Sequence, residues 1–238
     1  MLSPLIKKLN HYMELSSEEE RLLNNSITRV ISLKRGEDII TEDSRPDETH
    51  LVLGGWACRY KLMGDGKFHI MAYLIPGDLC DVHVAILERM DHSIRTLTPA
   101  TIACISRENI DHILENHFRL ARALFWSTLV DEAILREWLV SSGHRSAERR
   151  LAHLFCELLV RSRSAGLTDD HSFDLPLTQE ELGDSMGLTV VHTNRIIQKL
   201  RSEGLITLQN KRMEINDWER MVSLAEFNPN YLHRQQAY

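Results

Sequence analysis

The sequence of 238 residues predicts an α+β protein with an N-terminal β-roll, a long central helix and a C-terminal winged helix-turn-helix. Three observations predict this order. Gly55, Gly66 and Gly77 separate short apolar runs at intervals of eleven residues, which is typical of short strands in a roll. From about Glu108 the apolar period changes from two residues to nearer 3.6, which indicates helix. Residues 177–206 then carry the start and stop signals of two short helices.

The front of the chain predicts one helical segment followed by short strands. The helical segment covers about Pro4–Asn25 and includes Ser16 or Ser17 as a cap. Asp65 and Gly66 predict a hairpin turn, because this pair tolerates positive φ. The strand candidates are His50–Leu53, Ala57–Leu62, Phe68–Leu74 and Thr101–Ile105.

A long helix is predicted over residues 119–141. Its broad apolar stripe consists of Leu120, Leu124, Phe125, Thr128, Leu135, Trp138 and Leu139. A stripe of this width favours two packing partners, which we expect to be the helix's own domain and a second copy of the chain. Packing within one core is the alternative. Ser142 and Gly143 predict a hinge before another helix at Ser146–Arg163.

The segment after residue 176 has the sequence pattern of a helix-turn-helix. Thr178 and Glu181 form a T-x-x-E capping box, which satisfies the first amide groups of a helix that buries Leu182 and Met186. Gly187 ends that helix, because a residue without a Cβ adopts the left-handed conformation most easily. A second helix follows and is capped by Thr189.

The second helix has an apolar face and a mixed polar face. Ile196, Ile197 and Leu200 are expected to point inward. The outward residues suit base edges in a DNA groove, and we expect base reading by Val190, Val191, Asn194, Arg195 and Gln198. A hairpin of Ile206–Leu208 and Met213–Ile215 follows as a wing. The expected phosphate contacts are Thr189, His192, Lys199, Lys211 and Arg212. An ordinary helical hairpin is the alternative interpretation.

Composition restricts the class of protein. The net charge of −6 is concentrated in the front half, because residues 144–238 hold 12 Lys and Arg against 13 Asp and Glu. No run of about 18 apolar residues predicts a membrane span, and no signal peptide is recognisable at the N-terminus. Four scattered cysteines favour a reducing cytoplasm: Cys58, Cys80, Cys104 and Cys156. The common enzyme motifs are missing, so we expect no catalytic activity.

These features together resemble the CRP/FNR family of bacterial transcription regulators. In the front half the resemblance rests on Gly36-Glu37, Gly55, Asp65-Gly66-Lys67 and Pro76-Gly77-Asp78; in the rear half it rests on Thr178, Glu181, Gly187, Arg195 and the LRSEGLI ending. It implies a cyclic-nucleotide-binding-like sensor domain at 1–118, a dimerisation helix and hinge at 119–143, and a DNA-binding domain at 144–238. It also implies a homodimer on a near-palindromic operator of double-stranded DNA, with RNA polymerase as a further partner.

The sensor half departs from the family pattern where cyclic nucleotides bind. The Gly-Glu pair of binding members falls on Asp81-Val82, and their Arg-Ser pair falls on His92-Ser93. A ribose acceptor has therefore become valine, and the cation for the phosphate has become imidazole. We expect no cyclic AMP binding in the usual mode. The first cysteine is Cys58, which also argues against an N-terminal iron–sulfur cluster.

An effector pocket is expected at Asp81, Val82, His83, His92 and Ser93, although the sequence identifies no cofactor and predicts no metal site. Cys80 and His83 leave one alternative open. His83 resembles in position the haem-ligating histidine of the family's carbon monoxide sensor, so a haem-dependent gas or redox sensor is the competing hypothesis. A buried thiol beside a hydrogen-bonded histidine is the simpler interpretation.

Overall fold

The structure is a computed structural model that describes residues 3–64, 66–82 and 86–233. The chain divides into two compact units, of which the first runs to Glu132 and the second begins at Ala133. None of the helices in the described ranges combines the length and the apolar content that a membrane span needs.

The N-terminal helical segment is two helices rather than the single segment predicted. They are α1 (Ser3–Asn10) and α2 (Ser17–Asn25). Ser16 is the cap of α2, and it forms a capping box with Glu19 that fixes the start of this helix. The side chain of Asn10 accepts a hydrogen bond from the Leu15 amide across the intervening turn.

Among the described residues, seven strands form the β-roll of the first unit. They are β1 (Ile27–Leu33), β2 (Asp38–Ile40), β3 (Glu48–Gly54), β4 (Ala57–Leu62), β5 (Phe68–Leu74), β6 (Ser93–Thr96) and β7 (Ala100–Ser106). The four predicted strands are confirmed, whereas β1, β2 and β6 were not predicted. One sheet has the order β1-β7-β3 and the other has the order β2-β6-β4-β5.

The sheet of β1, β7 and β3 carries a core on each face. Leu51 and Ala103 pack with the helices, whereas their neighbours Val52 and Ile102 pack inside the roll. This division follows from the alternation of side chains along a strand. Gly55 lies just after β3 with φ of +79°, and a Cβ there would be 2.3 Å from a backbone oxygen.

The predicted long helix is confirmed and is longer than expected. After α3 (Arg107–Asn116), α4 runs without interruption over Phe118–His144. The predicted hinge at Ser142 and Gly143 is wrong, because both residues are helical and the chain leaves the helix at Arg145. Ser146 then caps the next helix by accepting from the Arg149 amide.

The second unit contains the helix-turn-helix and a three-stranded sheet of order β8-β10-β9. Its remaining elements are α5 (Ala147–Ser164), β8 (Ser172–Asp174), α6 (Gln179–Met186), α7 (Val190–Ser202), β9 (Ile206–Gln209), β10 (Arg212–Ile215), α8 (Trp218–Ala225) and a 3-10 turn (Pro229–Leu232). Helix α5 is the core of this unit, because most of its side chains are buried on all sides. The sequence did not predict α8 or the 3-10 turn.

Candidate nucleic-acid interface and sensor site

The predicted helix-turn-helix is present with its capping interactions. Thr178 and Glu181 form the capping box of α6, and Gly187 ends this helix with φ of +65°. Thr189 caps α7 by accepting from the His192 amide at 3.2 Å. The two helices approach closely at Gly183, where a Cβ would lie 2.6 Å from the backbone oxygen of Leu188.

Helix α7 has the two faces that the sequence predicts. Its buried side chains are Thr193, Ile196, Ile197 and Leu200. The five expected base-reading residues are all exposed, and Val191 is 69% exposed even though its side chain is apolar. Helix α6 buries Leu182 as predicted, but Met186 is only partly buried.

The exposed face of α7 carries one cation without an internal partner. Within the described residues, the Arg195 side chain forms no ion pair or hydrogen bond. Nearby, Asn194 accepts hydrogen bonds from Gln198 at 3.5 Å and from Gln179 at 3.3 Å. Gln179 is the first residue of α6, and the sequence did not single it out. The sequence signal that could have identified Gln179 is its position directly after the Thr178 cap.

Two of the expected phosphate contacts are engaged within the chain. Lys199 lies 2.7 Å from a carboxylate oxygen of Glu148 and 3.8 Å from Glu203. Arg212 donates to Ser172, and its guanidinium lies 3.5 Å from Asp174 and 3.9 Å from Asp170. Contact with phosphate would have to compete with these carboxylates or share the cation with them.

Lys211 differs from them in position. The predicted wing is confirmed as β9 and β10, in which Gln209 pairs with Arg212. Asn210 and Lys211 are therefore the two turn residues, and both have positive φ, at 50° and 60°. Among the described residues the Lys211 ammonium forms no ion pair, so it is available at the tip of the wing.

The sensor half places Asp81 in a buried pair with a histidine. One carboxylate oxygen of Asp81 lies 2.7 Å from Nδ1 of His50, and the other accepts from the His50 amide at 2.7 Å. Burial alone would lower the pKa of His50, but hydrogen bonds to Asp81 and Cys104 raise it to about 9. Asp81 therefore holds a cation inside the fold.

The other expected pocket residues have separate surroundings. Val82 packs against the helical core, and Ser93 accepts from the Glu42 amide at 2.8 Å. Nδ1 of His92 lies 2.6 Å from Asp91, and burial lowers the pKa of His92. His83 lies outside the described residues. The structure thus brings Asp81 to His50 but gives the remaining described members partners of their own.

Comparison with known proteins identifies the family of this chain. The Crp-like helix-turn-helix domain matches residues 149–224, and the cyclic nucleotide-binding domain matches residues 30–117. The chain belongs to the CRP/FNR family. It is a sequence-specific DNA-binding transcription regulator of this family's type.

Individual relatives agree with this assignment. The transcriptional activator protein FnrL of Cereibacter sphaeroides is 26% identical over 87% of this chain and 84% of its own length. The nitrogen fixation regulation protein FixK of Bradyrhizobium diazoefficiens is 24% identical over 83% of this chain and 82% of its own. The solved structure of FixK2 from Bradyrhizobium japonicum has the same fold, with a TM-score of 0.73 at 21% identity. It covers 82% of this chain and 96% of the solved one.

The segment that follows Asp78 in this CRP/FNR protein is held by partly buried ion pairs. Lys8 of α1 lies 2.9 Å from a carboxylate oxygen of Asp78. Arg59 of β4 lies 3.0 Å from Asp131 of α4 and donates to the backbone oxygens of Leu79 and Cys80. The segment therefore carries its own internal charge pairs where binding members of the family hold a nucleotide.

The cysteine of the haem hypothesis is poorly suited to ligation. Cys80 is fully buried, and burial together with the neighbouring Asp81 raises the pKa of its thiol well above the ordinary range. A thiol in this state is protonated at neutral pH, whereas metal ligation and redox reactions use the thiolate. Nothing in the described residues favours haem at this position.

Proposed function

We propose that this regulator acts as a homodimer that reads a near-palindromic DNA operator with the exposed face of α7. The proposed division of the chain is a sensor domain at 1–118, a dimerisation helix at 119–143 and a DNA-binding domain at 144–238. The observation that carries the reading assignment is Arg195, an exposed guanidinium without an internal partner among the described residues. RNA polymerase as a partner and a cytoplasmic location are parts of the same proposal.

The base-reading roles follow from side-chain chemistry. A guanidinium can donate two parallel hydrogen bonds to O6 and N7 of guanine, so Arg195 is assigned to a G·C pair. Asn194 and Gln198 suit adenine, whose major-groove edge offers a donor and an acceptor. Val190 and Val191 can contact only a thymine methyl group. The half-site should therefore contain thymine at the base pair that faces Val191. At this position many members of the family carry a polar side chain that accepts from a base amino group.

Thr189, His192, Lys199, Lys211 and Arg212 are proposed to contact phosphates. Lys211 is the strongest of these candidates, because it sits in the wing turn and gives up no internal ion pair on binding. Thr189 already accepts from the His192 amide, so its hydroxyl proton is what it can offer to a phosphate. Lys199 and Arg212 are expected to contribute less, since each is already paired with a carboxylate.

Two matched variants test these roles. After the genomic operator is mapped, Arg195→Ala should cost about 1–3 kcal/mol of binding free energy and relax the preference at one base pair. Lys211→Ala should weaken binding to all sequences alike and lower the salt slope by about one. Fluorescence anisotropy on the operator and on its single-base variants at several salt concentrations measures both effects. An Arg195→Ala protein with unchanged affinity and unchanged base preference would refute the assignment.

Helix α4 supports the dimer. Its side chains Leu120 and Leu124 are buried in the core of the first unit, whereas other apolar residues of the helix remain exposed: Phe118, Phe125, Leu129, Leu135, Leu139 and Val140. Positions 118, 121, 125, 128, 132, 135 and 139 follow a heptad spacing, and four of them are large apolar residues. Such a seam is typical of a pair of helices packed side by side. Trp138 is not part of it, because its Nε1 donates to the buried Glu157.

We further propose that the sensor domain does not bind cyclic AMP or cyclic GMP in the family's usual mode. The support is chemical. Val82 has no carboxylate to accept from the ribose, and His92 has no guanidinium to pair with the phosphate. Ser93, the remaining member of the late pair, already accepts a backbone hydrogen bond. A nucleotide would therefore lack its ribose acceptor and its phosphate cation.

A further inference from the structure

A mixed set of metal-ligating side chains meets at one end of the sheet formed by β1, β7 and β3. The antiparallel register places His50 of β3 opposite Cys104 of β7. Glu48 lies two residues before His50 and therefore on the same face of β3. A carboxylate oxygen, an imidazole nitrogen and the thiol sulfur of these three residues all lie within 4.8 Å of one another.

Asp81 fixes the orientation of the histidine in this cluster. Its carboxylate is bonded to Nδ1 of His50 at 2.7 Å, so the nitrogen that can face a metal is Nε2, and the metal would have to displace its proton and its hydrogen bond to Cys104. Histidines that bind metals commonly donate their other nitrogen to a carboxylate, which fixes the tautomer and raises the basicity of the ligating nitrogen. The Asp81–His50 pair has this arrangement.

We propose that Glu48, His50 and Cys104 bind one Zn²⁺ ion, with water as the fourth ligand. Sulfur, nitrogen and oxygen donors in one set fit Zn²⁺, whereas Ca²⁺ and Mg²⁺ prefer oxygen donors alone. Ligands at 2.0–2.3 Å from a tetrahedral ion lie about 3.3–3.8 Å apart, so separations of up to 4.8 Å need to close by about 1.5 Å at most. Side-chain rotations are enough for a change of this size.

An ion can enter the site from the Glu48 side. His50 and Cys104 are buried, but the Glu48 side chain is 23% exposed at the end of the strand. Arg29 now pairs with Glu48 at 2.5 Å and is itself mostly exposed. A carboxylate has lone pairs for both partners, and Arg29 can also move into solvent. Zinc would therefore replace or share a surface ion pair, which is a weak interaction.

The site deepens the proposed function, because it lies next to the segment that follows Asp78. An ion on His50 would act through Asp81 on this segment, whose backbone oxygens at Leu79 and Cys80 bind Arg59. Arg59 in turn pairs with Asp131 of α4. A regulatory role of zinc rests on the proposed function, whereas zinc binding does not, so binding is measured on the full-length protein without DNA.

The experiment is a titration of reduced, chelator-treated protein with Zn²⁺ in competition with a chromophoric chelator, and in parallel with Co²⁺. We expect one ion per chain and a thiolate-to-cobalt charge-transfer band. Cys104→Ser should abolish that band. Cys156→Ser, which changes a buried cysteine in the other unit, should leave it intact. Asp81→Asn should weaken zinc affinity by about 10–100-fold, as expected for loss of a partner that orients the histidine.

Glu48→Gln is a second variant that should fold normally, because Glu48 is partly exposed and glutamine has the same shape. A loss of zinc binding in this variant can then not be ascribed to unfolding. Circular dichroism should show this variant folded, and its zinc affinity should fall at least about tenfold. Absence of stoichiometric binding to the wild-type protein would overturn the proposal. So would a cobalt band that survives Cys104→Ser, or a folded Glu48→Gln protein with unchanged affinity. Unaltered operator binding by the zinc-loaded protein would overturn only the regulatory role.

Discussion

Replacement of Phe125 by alanine should separate the proposed dimer into monomers. Phe125 is 63% exposed on α4. An aromatic side chain has about 200 Å² of surface, so about 125 Å² of apolar area remains to be buried by a partner. At about 25 cal/mol per Å² this burial contributes about 3 kcal/mol per protomer. A symmetric interface contains the residue twice, and the upper limit for the dimer is therefore about 6 kcal/mol.

Because alanine retains the Cβ, we expect Phe125→Ala to cost about 4–6 kcal/mol of association free energy, which raises the dimer Kd at least about a thousandfold. Light scattering and sedimentation velocity over a range of concentrations measure this change. The variant should give a mass near 27.5 kDa at concentrations where the wild type has twice that mass. Operator affinity should fall with it, because a monomer contacts one half-site.

Leu124→Ala is the matched control. Leu124 is adjacent in sequence but only 2% exposed, and it packs in the core of the first unit. Its truncation should lower the free energy of unfolding by about 2–5 kcal/mol and leave the dimer Kd of the folded protein unchanged. If Phe125→Ala formed dimers as tightly as the wild type, α4 would not be the interface.

Three further predictions concern the sensor and DNA-binding units. Cyclic AMP and cyclic GMP should give no saturable heat at micromolar concentration by calorimetry, and micromolar binding abolished by Ser93→Ala would refute this. Gly183→Ala should lower the free energy of unfolding by about 1–3 kcal/mol, because the new Cβ would meet a backbone oxygen at 2.6 Å. Gly143→Ala, where nothing lies within 4 Å, should be neutral or stabilise helix α4; equal losses in both would refute the steric argument. Burial, with Arg145 nearby, lowers the pKa of His153 to about 3. Between pH 6.5 and 3 only the unfolded chain binds this proton, so stability should fall with pH, by about 2 kcal/mol at pH 5. Denaturant titrations at several pH values measure the free energy of unfolding of the wild type and of His153→Gln. As the pH falls, this free energy should decrease more steeply for the wild type than for His153→Gln. The same pH dependence in both proteins would contradict the prediction.

The DNA-binding half was predictable because its signals are local. A capping box, a left-handed glycine and the spacing of buried residues each depend on neighbours within four positions, and they correctly predict both ends of α6 and the start of α7. The predicted hinge was wrong because it also rested on a local signal. Gly143 suggested a break, but a single glycine costs a long helix only about 1 kcal/mol, which the packing of α4 outweighs. The chain turns instead where Ser146 can cap α5.

The sensor half was less predictable because its important contacts join distant residues. Strand β6 is four residues long, too short for its periodicity to be recognised. The sequence predicts Asp81 only as a pocket residue, because its partner His50 lies 31 positions earlier. His50 and Cys104 meet only through the register of β3 and β7, and no local pattern carries that register. The proposed zinc site could therefore not be predicted from the sequence, which predicts no metal site.

The charges around the segment that follows Asp78 restrict what kind of effector can act there. Arg59 is paired with Asp131, Lys8 with Asp78, and Arg95 lies 3.3 Å from Asp38 and over two aromatic rings. An anionic ligand would have to take one of these cations from its carboxylate. Removal of one partner from a fully buried pair costs about 3–5 kcal/mol. The cost for these partly buried pairs is smaller, and a new ion pair with the ligand must still offset it. The paired cations of the sensor domain thus argue against a nucleotide phosphate or another anionic effector at this segment.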